Sequence, residues 1–196
     1  MLKRLFDMGC ALLGLIVLSP VLIVIALTIL FSSKGGVFYL QTRVGKNEKD
    51  FKLFKYRTMN IGAEKEGLLT VGGRDPRITK FGYYLRKYKL DELPQLLNVL
   101  FGSMSLVGPR PEVRKYVALY TNEQKKVLLV KPGITDYASL AYFSENELLA
   151  KSFNPEETYI KDVMPAKLAL NGRYIHDQSF LTDVKIIFRT LKKVVS

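Results

Sequence analysis

Apolar and polar positions divide this chain into three regimes. From Met8 to Ser33 no side chain is charged. About 20 apolar residues suffice for a membrane-crossing helix, and at about 1.5 Å per residue this run could reach about 39 Å. It is longer than the apolar region of a cleaved signal peptide, about 7 to 15 residues, and lacks a small-residue cleavage site. Ser19-Pro20 falls mid-run, where proline removes a helical donor and predicts a bend or break; the Ser19 hydroxyl can bond back to Leu15 or Ile16. Proline alone suits a spanning helix with a modest kink. Basic residues at both ends, Lys3 and Arg4 before and Lys34, Arg43 and Lys46 after, suit a re-entrant element with both ends cytoplasmic, since each arm is too short to cross alone.

Beyond Gly35-Gly36, residues 37–44 and 51–58 are β-branched and aromatic runs around the polar turn GKNEKD, predicting a β-hairpin. Residues 60–80, rich in glycine and containing Asp75-Pro76, predict a loop or lid. Helices are expected from about residue 81. In the last, Phe180, Val184, Ile187, Phe188, Leu191 and Val195 recur at helical spacing while Lys185, Arg189, Lys192 and Lys193 take the other face, which fits either an interfacial helix on an anionic membrane or a solvated face over a core.

Composition sharpens this picture. The 196 residues carry 30 Lys+Arg against 18 Asp+Glu, a formal charge of +12, yet 48% are hydrophobic; disorder is excluded, and one soluble domain plus an apolar segment fits. A single cysteine, Cys10, and a single histidine, His176, exclude an internal disulfide and a Cys/His metal cluster. His176 is expected at the surface or in a cap. No P-loop or dinucleotide fingerprint is present.

Four clusters could carry chemistry. Asp91-Glu92-Leu93-Pro94 precedes an apolar run, where Asp is a good N-cap and Pro is tolerated; a helix start also favours an ionised carboxylate and offers N–H groups to phosphate. In Gly108-Pro109-Arg110-Pro111-Glu112 two prolines stiffen the base of one guanidinium, which suits bidentate phosphate binding. Arg86 within Arg86-Lys87-Tyr88-Lys89, and Lys55 and Arg57 within Lys55-Tyr56-Arg57, would add cations around the carboxylates. Paired carboxylates beside a diphosphate point to Mg²⁺ held by Asp91 and Glu92.

These segments, with Gln41-Thr42-Arg43-Val44-Gly45, Asp75-Pro76-Arg77-Ile78-Thr79, Leu90-Asp91-Glu92-Leu93-Pro94-Gln95-Leu96, Met104-Ser105-Leu106-Val107 leading into Gly108-Pro109-Arg110-Pro111-Glu112, and Lys131-Pro132-Gly133-Ile134-Thr135, occur in an order that closely resembles the bacterial sugar transferases, the monotopic phosphoglycosyl transferases. The resemblance runs from the membrane segment to about residue 135. It implies transfer of a sugar 1-phosphate from a UDP-sugar to polyprenyl phosphate with release of UMP, starting cell-surface glycoconjugate synthesis. It also implies a membrane helix broken at Ser19-Pro20, Asp91 as the nucleophile of a phosphosugar-aspartyl intermediate, Glu92 as its acidic partner, and Arg110, Arg86, Lys55 and Arg57 as phosphate ligands. Asp136-Tyr137-Ala138-Ser139-Leu140 departs from the usual glycine-aromatic-glutamine continuation, leaving the sugar open, and the chain looks like the small single-domain form.

The expectation is thus an α+β, mainly helical protein with a re-entrant membrane segment over residues 1–34, a β-hairpin and interfacial amphipathic helices, the catalytic domain over 35–196 lying on the cytoplasmic face of the bacterial inner membrane. Expected partners are a UDP-sugar, polyprenyl phosphate and membrane lipids, with a second copy in a homodimer and no nucleic acid. The rival is a membrane-anchored module binding a polyanion without catalysis, against which two adjacent carboxylates weigh.

Overall fold

The computed structural model describes residues 2–72 and 75–195; Gly73 and Arg74 of the expected loop lie outside them. The chain is mainly helical with one β-hairpin, as expected. Helix α1 spans Leu2–Ser32 and is the one described helix long and apolar enough to cross a membrane. The expected break at Ser19-Pro20 is not seen, because α1 continues through Pro20. The carbonyl of Ile16, which proline cannot serve, instead accepts the Ser19 hydroxyl at 2.7 Å, so the helix loses no acceptor partner at that point.

One seam of α1 faces the rest of the protein. Ala11, Ile25 and Ile29 are buried, Gly14 abuts Leu96, and Leu22 and Ala26 pack against the Ile25, Ile29, Tyr56 and Leu85 cluster. These positions recur three and four apart, one stripe of a helix. Polar contacts fix the first turns: Arg4 donates to the carbonyls of Val99 and Leu100, Asp7 accepts the Ser105 hydroxyl at 2.6 Å, and Lys3 pairs with Asp183. Tyr56 donates to the Leu22 carbonyl at 2.8 Å further along. Both halves of α1 therefore rest on the same body, while Leu13, Ile16, Val17, Ile23, Val24 and Phe31 are exposed on its outer side.

Strands β1 (Phe38–Val44) and β2 (Asp50–Tyr56) form the antiparallel hairpin, Leu40 opposite Phe54. The following loop winds around Arg77, whose guanidinium donates to the carbonyls of Ala63, Gly67 and Leu69 and to the Asp75 carboxylate. Helices α2 (Lys80–Lys87) and α3 (Gln95–Phe101) follow, then β3 (Ser105–Val107), α4 (Arg114–Val117) and β4 (Gly133–Thr135), with β3 and β4 parallel. Short helices α5 (Tyr137–Ala141), α6 (Glu145–Ala150) and α7 (Pro155–Thr158) lead through a π-turn at Tyr159–Val163 into α8 (Met164–His176) and the terminal α9 (Phe180–Val195). His176 is exposed beside Asp177, as expected. In α9 the buried residues are Asp183 and Ile186, whereas Phe180, Leu181, Phe188 and Leu191 are exposed. Of the two readings the spacing left open, the exposed one fits this stripe better: Phe180, Phe188 and Leu191 form an outer apolar face among the basic residues, while Val184 and Ile187 are half-buried.

Candidate active site

A cleft of about 490 Å³ opens between the hairpin, the Arg77-braced loop and the C-terminal helices. Period two along β2 brings Lys55 to it. Thr79 caps α2 by accepting the Gly82 amide at 2.9 Å, and the last turn of α2 delivers Arg86, which also lines it. Lys89, in the left-handed region at φ 55°, then reverses the chain into a 3₁₀ turn over Leu90–Glu92.

That turn corrects the expectation for Asp91. The helix after it begins only at Gln95 with Pro94 at its start, so Asp91 caps no helix, and the one-turn 3₁₀ element lacks the aligned dipole of a long helix. Its charge environment comes from side chains. Asp91 is 5% exposed, and among the described residues its carboxylate accepts no hydrogen bond. Burial pushes its pKa above the ordinary carboxylate value; Lys55, Arg86 and Lys89 pull the other way without cancelling that effect.

Glu92 is the opposite case. Arg110 grips both its oxygens, through Nη1 at 2.9 Å and through Nη2, and Lys55 Nζ donates to Oε1 at 2.9 Å. Burial opposes its charge, but Arg110 and then Lys55 outweigh burial and hold its pKa well below the usual range. Burial in turn lowers the pKa of Lys55. One deprotonated carboxylate thus gathers two cations beside a second carboxylate that makes no such pairs.

Arg110 is placed by backbone crossing. The Gly108 amide donates to the Thr135 carbonyl and the Gly133 amide to the Pro109 carbonyl, both at 3.0 Å. The two strands approach so closely that a Cβ on Gly133 would fall 2.1 Å from the Gly108 nitrogen. Glu112 locks the other side, pairing with Arg43 at 2.9 Å and accepting from Tyr159.

The structure therefore brings Lys55, Arg86, Arg110, Asp91 and Glu92 into one cleft. Arg57 lines it too, but its guanidinium donates to the Gly36 carbonyl at 2.8 Å and braces the exit of α1. Lys89 beside Asp91 was hidden in a basic run that resembled a solvated face. Ser139, Glu145 and Lys167, also on the cleft wall, carry no sequence signal, because they converge only through the packing of α5, α6 and α8. Arg86 Nη2 donates to Thr70 at 3.0 Å while its buried Nη1 finds no partner among the described residues, leaving a guanidinium edge with unused donor capacity.

The whole chain, residues 1–196, matches the model of the family described as bacterial sugar transferase. It belongs to that family. Similar proteins include the UDP-glucose:undecaprenyl-phosphate glucose-1-phosphate transferase of Escherichia coli (strain K12), 38% identical over 98% of this chain and 40% of that protein. The UDP-N-acetylgalactosamine-undecaprenyl-phosphate N-acetylgalactosaminephosphotransferase of Aeromonas hydrophila is 33% identical over 100% of this chain and 44% of its own length. An uncharacterized sugar transferase of Bacillus subtilis (strain 168), EpsL, is 38% identical over 99% of this chain and 87% of its length. The chain thus spans about two fifths of the length of the first two relatives.

Proposed function

We propose that this sugar transferase moves a sugar 1-phosphate from a UDP-sugar to a polyprenyl phosphate such as undecaprenyl phosphate, releasing UMP, as the first membrane step of bacterial polysaccharide synthesis. The observation that carries this reading is Asp91, a buried carboxylate without hydrogen bonds, amid Lys55, Arg86 and Lys89 and next to a Glu92 already neutralised by its own ion pairs. A carboxylate stripped of solvent is a better nucleophile than one satisfied by donors, and the cations lower its repulsion from an incoming diphosphate.

In the proposed reaction an Asp91 oxygen bonds to the β-phosphorus, and the bond from that phosphorus to the bridging oxygen breaks, its electron pair leaving with UMP. A polyprenyl phosphate oxygen then bonds to the same phosphorus and releases Asp91. The unused donors of Arg86, with Lys89, stand ready for phosphate oxygens. Arg110, bound bidentately by Glu92, can turn its fork to phosphate only by loosening that pair.

No group of three His, Cys, Asp or Glu able to cage a metal occurs among the described residues. Asp91 and Glu92 fit Mg²⁺ only as a carboxylate edge completed by substrate oxygens, the usual arrangement for that ion. Bound there, Mg²⁺ would supply charge neutralisation for the departing UMP.

The outer face of α1 and the exposed apolar face of α9 support association with a membrane, since each such side chain left in water forgoes about 1.5–3 kcal/mol of burial. With both halves of α1 on one body and basic residues at both ends, we place both ends on the cytoplasmic side of the inner membrane. The test of the function is UMP release from a panel of UDP-sugars with undecaprenyl phosphate and Mg²⁺ in detergent or nanodiscs. Release with at least one donor, abolished in Asp91→Asn, is expected. Tight binding of anionic lipid without UMP release from any donor would favour a polyanion-binding module instead.

A further inference from the structure

The cleft has two chemically different walls. Residues 55–110 supply mostly cations. The other wall carries an ion pair of nearly zero net charge, Lys167 Nζ to Glu145 at 2.6 Å, with the two side chains 14% and 23% exposed, and Lys167 also stands 5.4 Å over the Tyr159 ring. Beside them Ser139 lines the cleft; its amide donates to the Asp136 carboxylate at 2.7 Å, and its buried hydroxyl faces that same carboxylate without closing a well-formed hydrogen bond among the described residues. Asn171, with its amide turned to donate to Asp136 and to the Lys167 carbonyl, stiffens the wall from behind.

We propose that this recess holds the sugar ring of the donor, with Ser139 Oγ and the Glu145–Lys167 pair engaging ring hydroxyls and so setting which sugar is accepted. The proposal rests on the phosphosugar-transfer reading above. A compensated ion pair attracts no phosphate, whereas sugar hydroxyls both donate and accept, matching a carboxylate, an ammonium and a hydroxyl together. The C–H face of a pyranose suits the aromatic rings of Tyr142, Phe143 and Tyr159 in the same wall. Position separates sugar from uracil. The sugar is attached to the phosphorus that Asp91 attacks, while uridine lies beyond the next phosphate. Ser139, Glu145 and Lys167 line the same cleft as Asp91 and Arg110, and the charge of Glu145 is felt at Arg110, so the recess and the reacting end share one cavity.

Ser139 gives the cleanest test, because its amide keeps hold of the Asp136 carboxylate when alanine removes the hydroxyl, so the melting temperature should change little. The measurement is kcat/KM for UMP release across UDP-glucose, UDP-galactose and their 2-acetamido counterparts, together with inhibition by UMP. In Ser139→Ala the best donor should fall about tenfold or more while the poorer ones change little, and UMP inhibition should stay unchanged. Glu145→Gln/Lys167→Gln, which removes both charges together, should also reorder the donors. If all donors fell by one common factor, if UMP inhibition weakened in step, or if the ranking were untouched, the recess would not be the sugar site, and the transferase reading would stand on the wild-type turnover. Wild-type protein releasing UMP from no donor would overturn both.

Discussion

At the residue scale the site rests on a contrast between neighbouring carboxylates. Burial raises the Asp91 pKa, so protonation removes the nucleophile at a pH above the ordinary Asp value of about 3.9, and the acid limb of the kcat/KM profile should lie there. Because its folded-state pKa is raised, ionised Asp91 costs the fold stability as pH rises through that value. Asp91→Asn should therefore be inactive yet melt at a higher temperature at neutral pH. Glu92 has the opposite sign. Its pKa is depressed, so its stabilisation is full at neutral pH and is lost only as pH falls through a value below the ordinary carboxylate range. Glu92→Gln leaves the partly buried Lys55 and the partly exposed Arg110 without their anion and should cost about 2 kcal/mol after solvent screening, read as the shift in denaturant midpoint. Equal effects of the two substitutions on stability would contradict this division of labour.

Among the elements, the Gly108–Gly133 crossing makes the most specific demand. Alanine at Gly133 cannot fit 2.1 Å from the Gly108 nitrogen, so the two segments must part and carry Arg110 with them. Gly133→Ala should lower turnover at least tenfold even where circular dichroism still shows the helices, whereas unchanged kinetics would mean that Arg110 is not positioned by this crossing. The hairpin was legible because strand residues flank a polar turn, and Asp91, Glu92 and Arg110 were legible because their motifs are contiguous. Three features were not. Whether Pro20 breaks α1 depends on whether Ser19 supplies the lost bond to Ile16, which spacing allows but cannot decide. The role of Glu92 as the hub for Lys55 and Arg110 depends on contacts spanning 37 and 18 positions. The Ser139, Glu145 and Lys167 wall is assembled by three helices whose sequences look like ordinary amphipathic surface.

For the whole molecule, charge and apolar surface act together. A formal charge of +12 with exposed Phe180, Phe188 and Leu191 beside lysines on α9 should make vesicle binding stronger with anionic than with neutral lipid and weaker in high salt, while α1 holds a salt-resistant remainder. Cysteines introduced singly at Leu2 and Lys34 in a Cys10→Ala background should both label from the cytoplasmic side; labelling from opposite sides would show α1 crossing the bilayer. The covalent step is tested by incubating the wild-type protein with an accepted UDP-sugar and Mg²⁺ in the absence of lipid phosphate. A covalent route gives a burst of at most one UMP per site and a sugar-phosphate mass on the peptide carrying Asp91, discharged when polyprenyl phosphate is added. No burst and no adduct from protein that turns over normally once lipid is present would mean that the lipid phosphate attacks directly, and would contradict it.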